Sequence, residues 1–232
     1  MPTRTNGHGK PIVAIDIDGT LGDYHSHFLN FAEGYFGCSF PPPSEVNPGL
    51  RLWDFMGIPV SEYRKCKLAY RTGGMKRTMP AYDHANTLTS TLRGWGAEVW
   101  ICTTRPYQKH DAIDGDTLEW LRRNGIQYDA ILFDLIDRKY SKYEELGRQA
   151  GNRVAAIIDD LPELIESAFE LLPSADVMVR DQPYNRHVGT VSRQRRDLCA
   201  IPPLPVRVYD CNMMLICSAD AIQMWIANQR MI

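Results

Sequence analysis

Two aspartates one residue apart, Asp16 and Asp18, follow directly on Ile12-Val13-Ala14-Ile15 and precede Gly19-Thr20-Leu21. Side chains alternate along a strand, so both carboxylates lean the same way if the strand continues, and Gly19 lets the chain turn at once behind them. Like charges facing one small volume repel, so a cation or a shared proton is expected between them. A second acidic pair, Asp159-Asp160, closes the apolar run from Val154 to Ile158. Adjacent acids at a buried strand end are unfavourable without a cation, so this pair points the same way.

Strands must deliver these acids, and the chain alternates strands with helices. Short apolar runs at 97–102, 130–133, 154–158 and 176–179 continue the pattern that the run at 12–15 begins. Between them, helical spacing joins Ala85, Leu88, Leu92 and Trp95, then covers about 115–124. A further helix is expected to start at Ser141-Lys142-Tyr143-Glu144, which has capping-box spacing, and another carries Leu161, Leu164, Ile165, Ala168 and Leu172. Five such βα units predict an α/β, Rossmann-like fold of three layers built on a parallel sheet. In that architecture ligands bind where the strands end, which is where the acids lie. The alternation lapses between 22 and 79. Helical patterns over 23–37 and from Ser61 to Gly73-Gly74 flank the proline-rich 41–49, which describes a small helical cap inserted after the first strand. The expected organisation is a core of 1–21 and 80–185, a cap of 22–79, and a C-terminal extension of 186–232 packed on the core edge. Arg193, Arg195 and Arg196 in the extension either face solvent or reach an extended substrate.

The 232 residues suffice for one sizeable core plus an insertion, and 44% hydrophobic with 23% charged residues is ordinary for a folded domain. A net charge of -2 provides no global attraction for nucleic acid, so a polyanionic partner needs a local basic patch. The six cysteines show no Cys-x-x-Cys spacing and no histidines at zinc-ligand distances, which reads as free thiols in a reducing compartment. No apolar leader or membrane-length stretch stands out, so a cytoplasmic protein without membrane association is expected.

The Asp-x-Asp-Gly-Thr-Leu string after an apolar strand resembles the first motif of the haloacid dehalogenase (HAD) superfamily, most of whose members are magnesium-dependent phosphohydrolases. Three further strand ends are similar to its other motifs, in order. Thr103 after Trp100-Ile101-Cys102 matches the second, with Thr104 and Arg105 beside it. Lys139 in Asp137-Arg138-Lys139 matches the third, with Lys142 one turn away as the substitute, and Asp159-Asp160 matches the fourth. The resemblance implies Asp16 as nucleophile, forming an aspartyl-phosphate, and Asp18 as the acid and then the base. Thr103, Thr104, Arg105 and Lys139 would bind phosphoryl oxygens. Mg2+ would be held by Asp16, the backbone carbonyl of Asp18 and Asp160, with Asp159 supporting or sharing the site. The parts agree with what phosphoryl transfer demands: charge neutralisation, an in-line nucleophile and an acid for the leaving oxygen.

Within the superfamily, residues 12–165 most resemble the 5'(3')-deoxyribonucleotidases, on the Asp-Gly-Thr-Leu-Gly-Asp-Tyr opening, the helical insertion, Ile-Cys-Thr-Thr-Arg-Pro and Ile-Asp-Asp. That likeness implies a small-molecule nucleotide substrate, with Tyr24, Trp53 and Tyr70 of the cap stacking on the base. The other reading makes these aromatics the cap's own core. Arg105 departs from the nucleotidase pattern and, with Arg138-Lys139, resembles the phosphatase domain of polynucleotide kinases. Nucleic-acid 3' ends are therefore the alternative substrate, although no Walker-type loop for a kinase half is present. A homodimer is left open. So is a non-catalytic phosphate-binding module, against which the acid at Asp18 weighs, because pure binding has no use for it.

Overall fold

The computed structural model describes residues 9–47, 49–106, 113–135, 138, 141–186 and 207–209. Lys139 and, in the extension, Arg193, Arg195 and Arg196 lie outside the described residues. The first strand, β1 (Ile12–Ile15), is buried along its whole length and sits at the centre of a parallel sheet. After it come the cap helices α1 (Tyr24–Phe36), α2 (Leu52–Phe55), α3 (Val60–Thr72) and α4 (Met75–Thr78), then α5 (Ala85–Gly94) and β2 (Glu98–Pro106). The remaining elements are α6 (Ile113–Arg123), β3 (Ala130–Asp134), α7 (Lys142–Ala150), β4 (Val154–Asp159), α8 (Pro162–Leu171), β5 (Asp176–Arg180) and a short β6 (Arg207–Tyr209). The strand order is β3-β2-β1-β4-β5-β6, every neighbouring pair being parallel. The expected α/β, Rossmann-like architecture is thus the one formed, with β6 added at the edge.

Alternation along β1 splits the core into two layers. Val13 and Ile15 join a cluster with Phe28, Leu92, Trp120 and Leu121 from α1, α5 and α6. Ile12 and Ala14 join Tyr143, Leu146, Leu164 and Ile165 from α7 and α8 on the other face. Burial on both faces explains why β1 and β4 read as continuous apolar runs. It also makes their carboxyl ends rigid places to fix charged groups.

The chain leaves the sheet at Gly22 and returns at Ala81, and the two crossings form an antiparallel bridge. The Asp23 amide donates to Pro80 O at 2.9 Å and the Tyr82 amide to Leu21 O at 2.9 Å. Asp23 caps α1 through its carboxylate, and Gly37 ends it in the left-handed region at φ +68°. Tyr63, Cys66 and Tyr70 of α3 are buried against Tyr24 and Phe28, so an aromatic cluster is the core of this helical unit. Two polar links bind it to α6: Trp120 Nε1 donates to Met79 O at 2.6 Å, and Arg77 pairs with Asp116 at 2.7 Å.

One local expectation is corrected. Helix α7 begins where the Ser-x-x-Glu spacing places it, but no capping box forms. Ser141 Oγ instead donates to Arg138 O at 2.9 Å and accepts from the Leu135 amide at 3.0 Å, closing the preceding turn. Asp134 at the end of β3 takes over, accepting the Lys142 amide at 3.1 Å, while Glu144 pairs with Arg138. A carboxylate already aimed along the strand is the stronger acceptor for the first amide of a helix.

Candidate active site

Asp16 lies one residue past β1, 4% exposed, its amide donating to Ile158 O at 3.0 Å. The chain then turns tightly: the Ile17 carbonyl accepts the amides of Thr20, Leu21 and Gly22. Gly19 adopts φ +98°, and a Cβ there would run into the Asp160 carboxylate and lie 2.8 Å from the Tyr184 hydroxyl. Glycine is therefore demanded twice, by backbone conformation and by the close approach of a second acidic strand end.

Asp16, Asp159 and Asp160 each bring a carboxylate oxygen to within 4.8 Å of the others, and all three are buried. One buried cation serves the cluster. Lys142, the first residue of α7, donates from Nζ to Asp16 Oδ1 at 2.6 Å and to Cys102 O at 3.0 Å, and lies 2.7 Å from Asp159 Oδ2. Asp159 also accepts the Tyr143 hydroxyl at 2.5 Å and the Leu161 amide at 2.8 Å. Asp160 accepts the Thr20 hydroxyl at 2.8 Å and the Tyr184 hydroxyl, and its main-chain oxygen accepts Asn185 Nδ2 at 2.8 Å.

Burial raises Asp16 well above the ordinary carboxylate range; Lys142 opposes this, and Asp159 and Asp160 reinforce it. Burial and the adjacent Asp159 lift Asp160 to about 7, against the hydrogen bonds from Tyr184 and Thr20. Burial would depress Lys142, but Asp159 and Asp16 outweigh it and hold the ammonium charged. Three acids against one lysine leave an anionic surplus in an all-oxygen donor set, which suits a hard divalent cation. Asp16, Asp159 and Asp160 would hold it.

Asp18 faces another way. Its carboxylate is gripped by Arg105, at 2.6 Å from Nη2 and 3.2 Å from Nε, and by Lys76 of α4. Burial works to raise the Asp18 carboxyl, and these two cations outweigh it, holding it far below the usual range. Arg105, 1% exposed, is anchored further by donating to the Thr117 hydroxyl at 2.9 Å. Its guanidinium is thus spent on Asp18 and α6 in this arrangement. Thr103 is fully buried and its hydroxyl accepts the Arg105 amide at 3.3 Å, while Thr104 lines the cavity beside the acids.

That cavity, about 440 Å³, runs from Asp16, Asp18 and the Asp159-Asp160 pair up to the cap. Tyr24 and Trp53 are on its wall. Tyr70 is not: it is wholly buried, its hydroxyl is 2.7 Å from His27 Nδ1, and it packs edge-on to Tyr24 and Phe28. Sequence reasoning passed over Lys76, Tyr143 and Tyr184. Lys76 sits in the polar run Gly74-Met75-Lys76-Arg77, which has no apolar period to mark a buried position, and its ammonium lies 4.0 Å from the Tyr24 ring centroid. The signal for Tyr184 was Gln182-Pro183-Tyr184-Asn185, a polar-aromatic cluster straight after a strand; Gln182 also reaches Gly19 O at 2.8 Å.

No family model and no curated protein matches the chain. Solved structures do. A predicted phosphatase from Clostridium acetobutylicum is 16% identical with a TM-score of 0.57, over 79% of this chain and 90% of that one. A HAD family hydrolase from Deinococcus radiodurans, solved with bound phosphate and sodium, is 14% identical with a TM-score of 0.57, over 91% and 96%. A haloacid dehalogenase-like hydrolase from Streptococcus pneumoniae is 15% identical with a TM-score of 0.54, over 77% and 89%. At such identities the likeness establishes the fold: this chain has the HAD-type α/β fold.

Proposed function

We propose that this chain is a magnesium-dependent phosphatase that hydrolyses phosphate monoesters, with nucleoside monophosphates as its substrates in the manner of a 5'(3')-deoxyribonucleotidase. The observation that carries the reading is the meeting of Asp16, Lys142, Asp159 and Asp160 at the buried floor of a cap-covered cavity. A bound Mg2+ supplies neutralisation of the phosphoryl oxygens and lowers the repulsion among the three acids.

The side chains divide the remaining work. Lys142 opposes the burial that favours the protonated form of Asp16 and holds its carboxylate in place; an Asp16 oxygen attacks phosphorus as the bond to the ester oxygen breaks, leaving an aspartyl-phosphate. Asp18 gives its proton to the departing oxygen. It then takes a proton from the water that attacks phosphorus, which frees inorganic phosphate and regenerates Asp16. Arg105 and Lys76 favour the carboxylate form that the second step needs. A phosphate dianion entering beside Asp18 opposes them and favours the protonated form that the first step needs. Thr104, on the cavity wall, would meet phosphoryl oxygens.

Tyr24 and Trp53 support a nucleoside substrate, since an aromatic wall stacks on any base. A cavity of about 440 Å³ falls within the range that small ligands occupy. The test is phosphate release, with Mg2+ and with chelator, from nucleoside 5'- and 3'-monophosphates, 3'-phosphorylated oligonucleotides and sugar phosphates. Metal-dependent release with a preference for mononucleotides is expected. A preference for oligonucleotide ends would replace the mononucleotide assignment with a polynucleotide 3'-phosphatase, and undiminished release in chelator would remove the metal.

A further inference from the structure

Tyr63, Lys67 and Arg71 stand four residues apart on α3, forming one stripe, and all three line the cavity. Two like charges a turn apart weaken a helix, so the stripe does nothing for α3 itself. Lys67 Nζ lies 5.8 Å from the Tyr24 ring centroid and 5.5 Å from that of Tyr63, while Lys76 approaches the same Tyr24 ring at 4.0 Å. Positive charge is therefore concentrated around one tyrosine on the cap wall. Among the catalytic acids, Asp16 pairs with Lys142, and Asp18 with Arg105 and Lys76.

Two donors complete the picture. Tyr24 Oη and Arg71 Nε are buried with no hydrogen-bond partner among the described residues, and the Tyr24 side chain is nearly wholly enclosed. Buried donors without acceptors are rare and unfavourable, so an acceptor from outside the chain is called for. A neutral base or sugar brings acceptors without charge; an oxyanion accepts from a hydroxyl and a guanidinium together and suits an ammonium nearby.

We infer that Lys67, Arg71 and the Tyr24 hydroxyl form a second anion subsite, and that the substrate is a phosphate monoester bearing a further phosphate or carboxylate group. The inference deepens the phosphatase reading and rests on it for the orientation of the substrate. For a nucleotide substrate the class is a nucleoside bisphosphate, one phosphate at Asp16 and the other on the cap.

Binding separates this from turnover. In an Asp16→Asn protein with Mg2+, calorimetry compares thymidine 3',5'-bisphosphate with thymidine 5'-monophosphate, alone and with Lys67→Gln, Arg71→Gln or both added. The bisphosphate should bind at least tenfold more tightly, and each substitution should erase most of that advantage while moving the monophosphate Kd less than twofold. Lys67→Arg should retain it, which sets charge apart from a folding defect. With Asp16 intact, kcat/KM for 4-carboxyphenyl phosphate against phenyl phosphate asks whether a carboxylate is the second anion. Equal affinities, binding of neither nucleotide, or a preference that survives the double substitution overturns the subsite. Anion preference that depends on Lys67 and Arg71, with no ester hydrolysed by the intact protein, keeps the subsite and sinks the phosphatase reading.

Discussion

Lys142 and Arg105 divide the acids of the site between them, and each division makes a prediction. Lys142 is the only cation within bonding distance of Asp16 among the described residues, and it also holds Asp159. Lys142→Met leaves two buried carboxylates uncompensated and should lower stability by about 3–5 kcal/mol in denaturant melts, part of which Mg2+ restores. Arg105 holds Asp18 ionised, so Arg105→Gln raises the Asp18 pKa and should move the acidic limb of the pH–rate profile to higher pH, where the base of the second step is lost earlier. His25 reports on the cap. Burial and then Lys67 push its imidazole down to about 4. A histidine depressed in the folded state contributes stability that is complete above its unfolded pKa and lost as pH falls through the folded value. Melting at pH 7.5, 5.5 and 4.5 should therefore show a progressive loss on the order of 2 kcal/mol that His25→Gln reduces.

At the level of elements, the turn after β1 is the tightest constraint. Gly19 brings one acidic strand end against another, with the Asp160 carboxylate and Tyr184 hydroxyl in the space a methyl group would need. Gly19→Ala should destabilise by roughly 1–3 kcal/mol from backbone strain alone and abolish stabilisation by Mg2+, because Asp160 is displaced. The control is Gly34→Ala in α1, where a Cβ meets nothing within 4 Å; there the melting temperature should hold or rise.

The whole molecule places a helical unit over the carboxyl edge of a parallel sheet, and the cavity exists only between the two. Substitution on the upper wall should therefore separate substrates by size. Trp53→Ala should raise KM for a nucleoside monophosphate by about tenfold while leaving that for phenyl phosphate nearly unchanged, as loss of one stacking surface implies. Tyr70→Phe should not discriminate between them, since Tyr70 is wholly buried among the aromatic residues of the cap.

Much of this was legible in the chain itself. Apolar runs ending in acids specify strands whose carboxyl ends carry charge, and the 3.6-residue period specified the faces of α1, α3 and α8, because both patterns express local backbone geometry. Asp16, Asp18 and the Asp159-Asp160 pair could be singled out because acids beside buried strands break the apolar pattern. Lys76, Tyr143 and Tyr184 could not, because each reaches the site across 16 residues or more of intervening topology, as Tyr143 reaches Asp159. Only the tertiary structure turned Arg105 from the cavity toward Asp18, buried Tyr70 and exposed Trp53 to the cavity, and put Lys142 into contact with Asp16, 126 positions away. Pairings between charges are decided by which elements pack together, and no spacing along a chain encodes that.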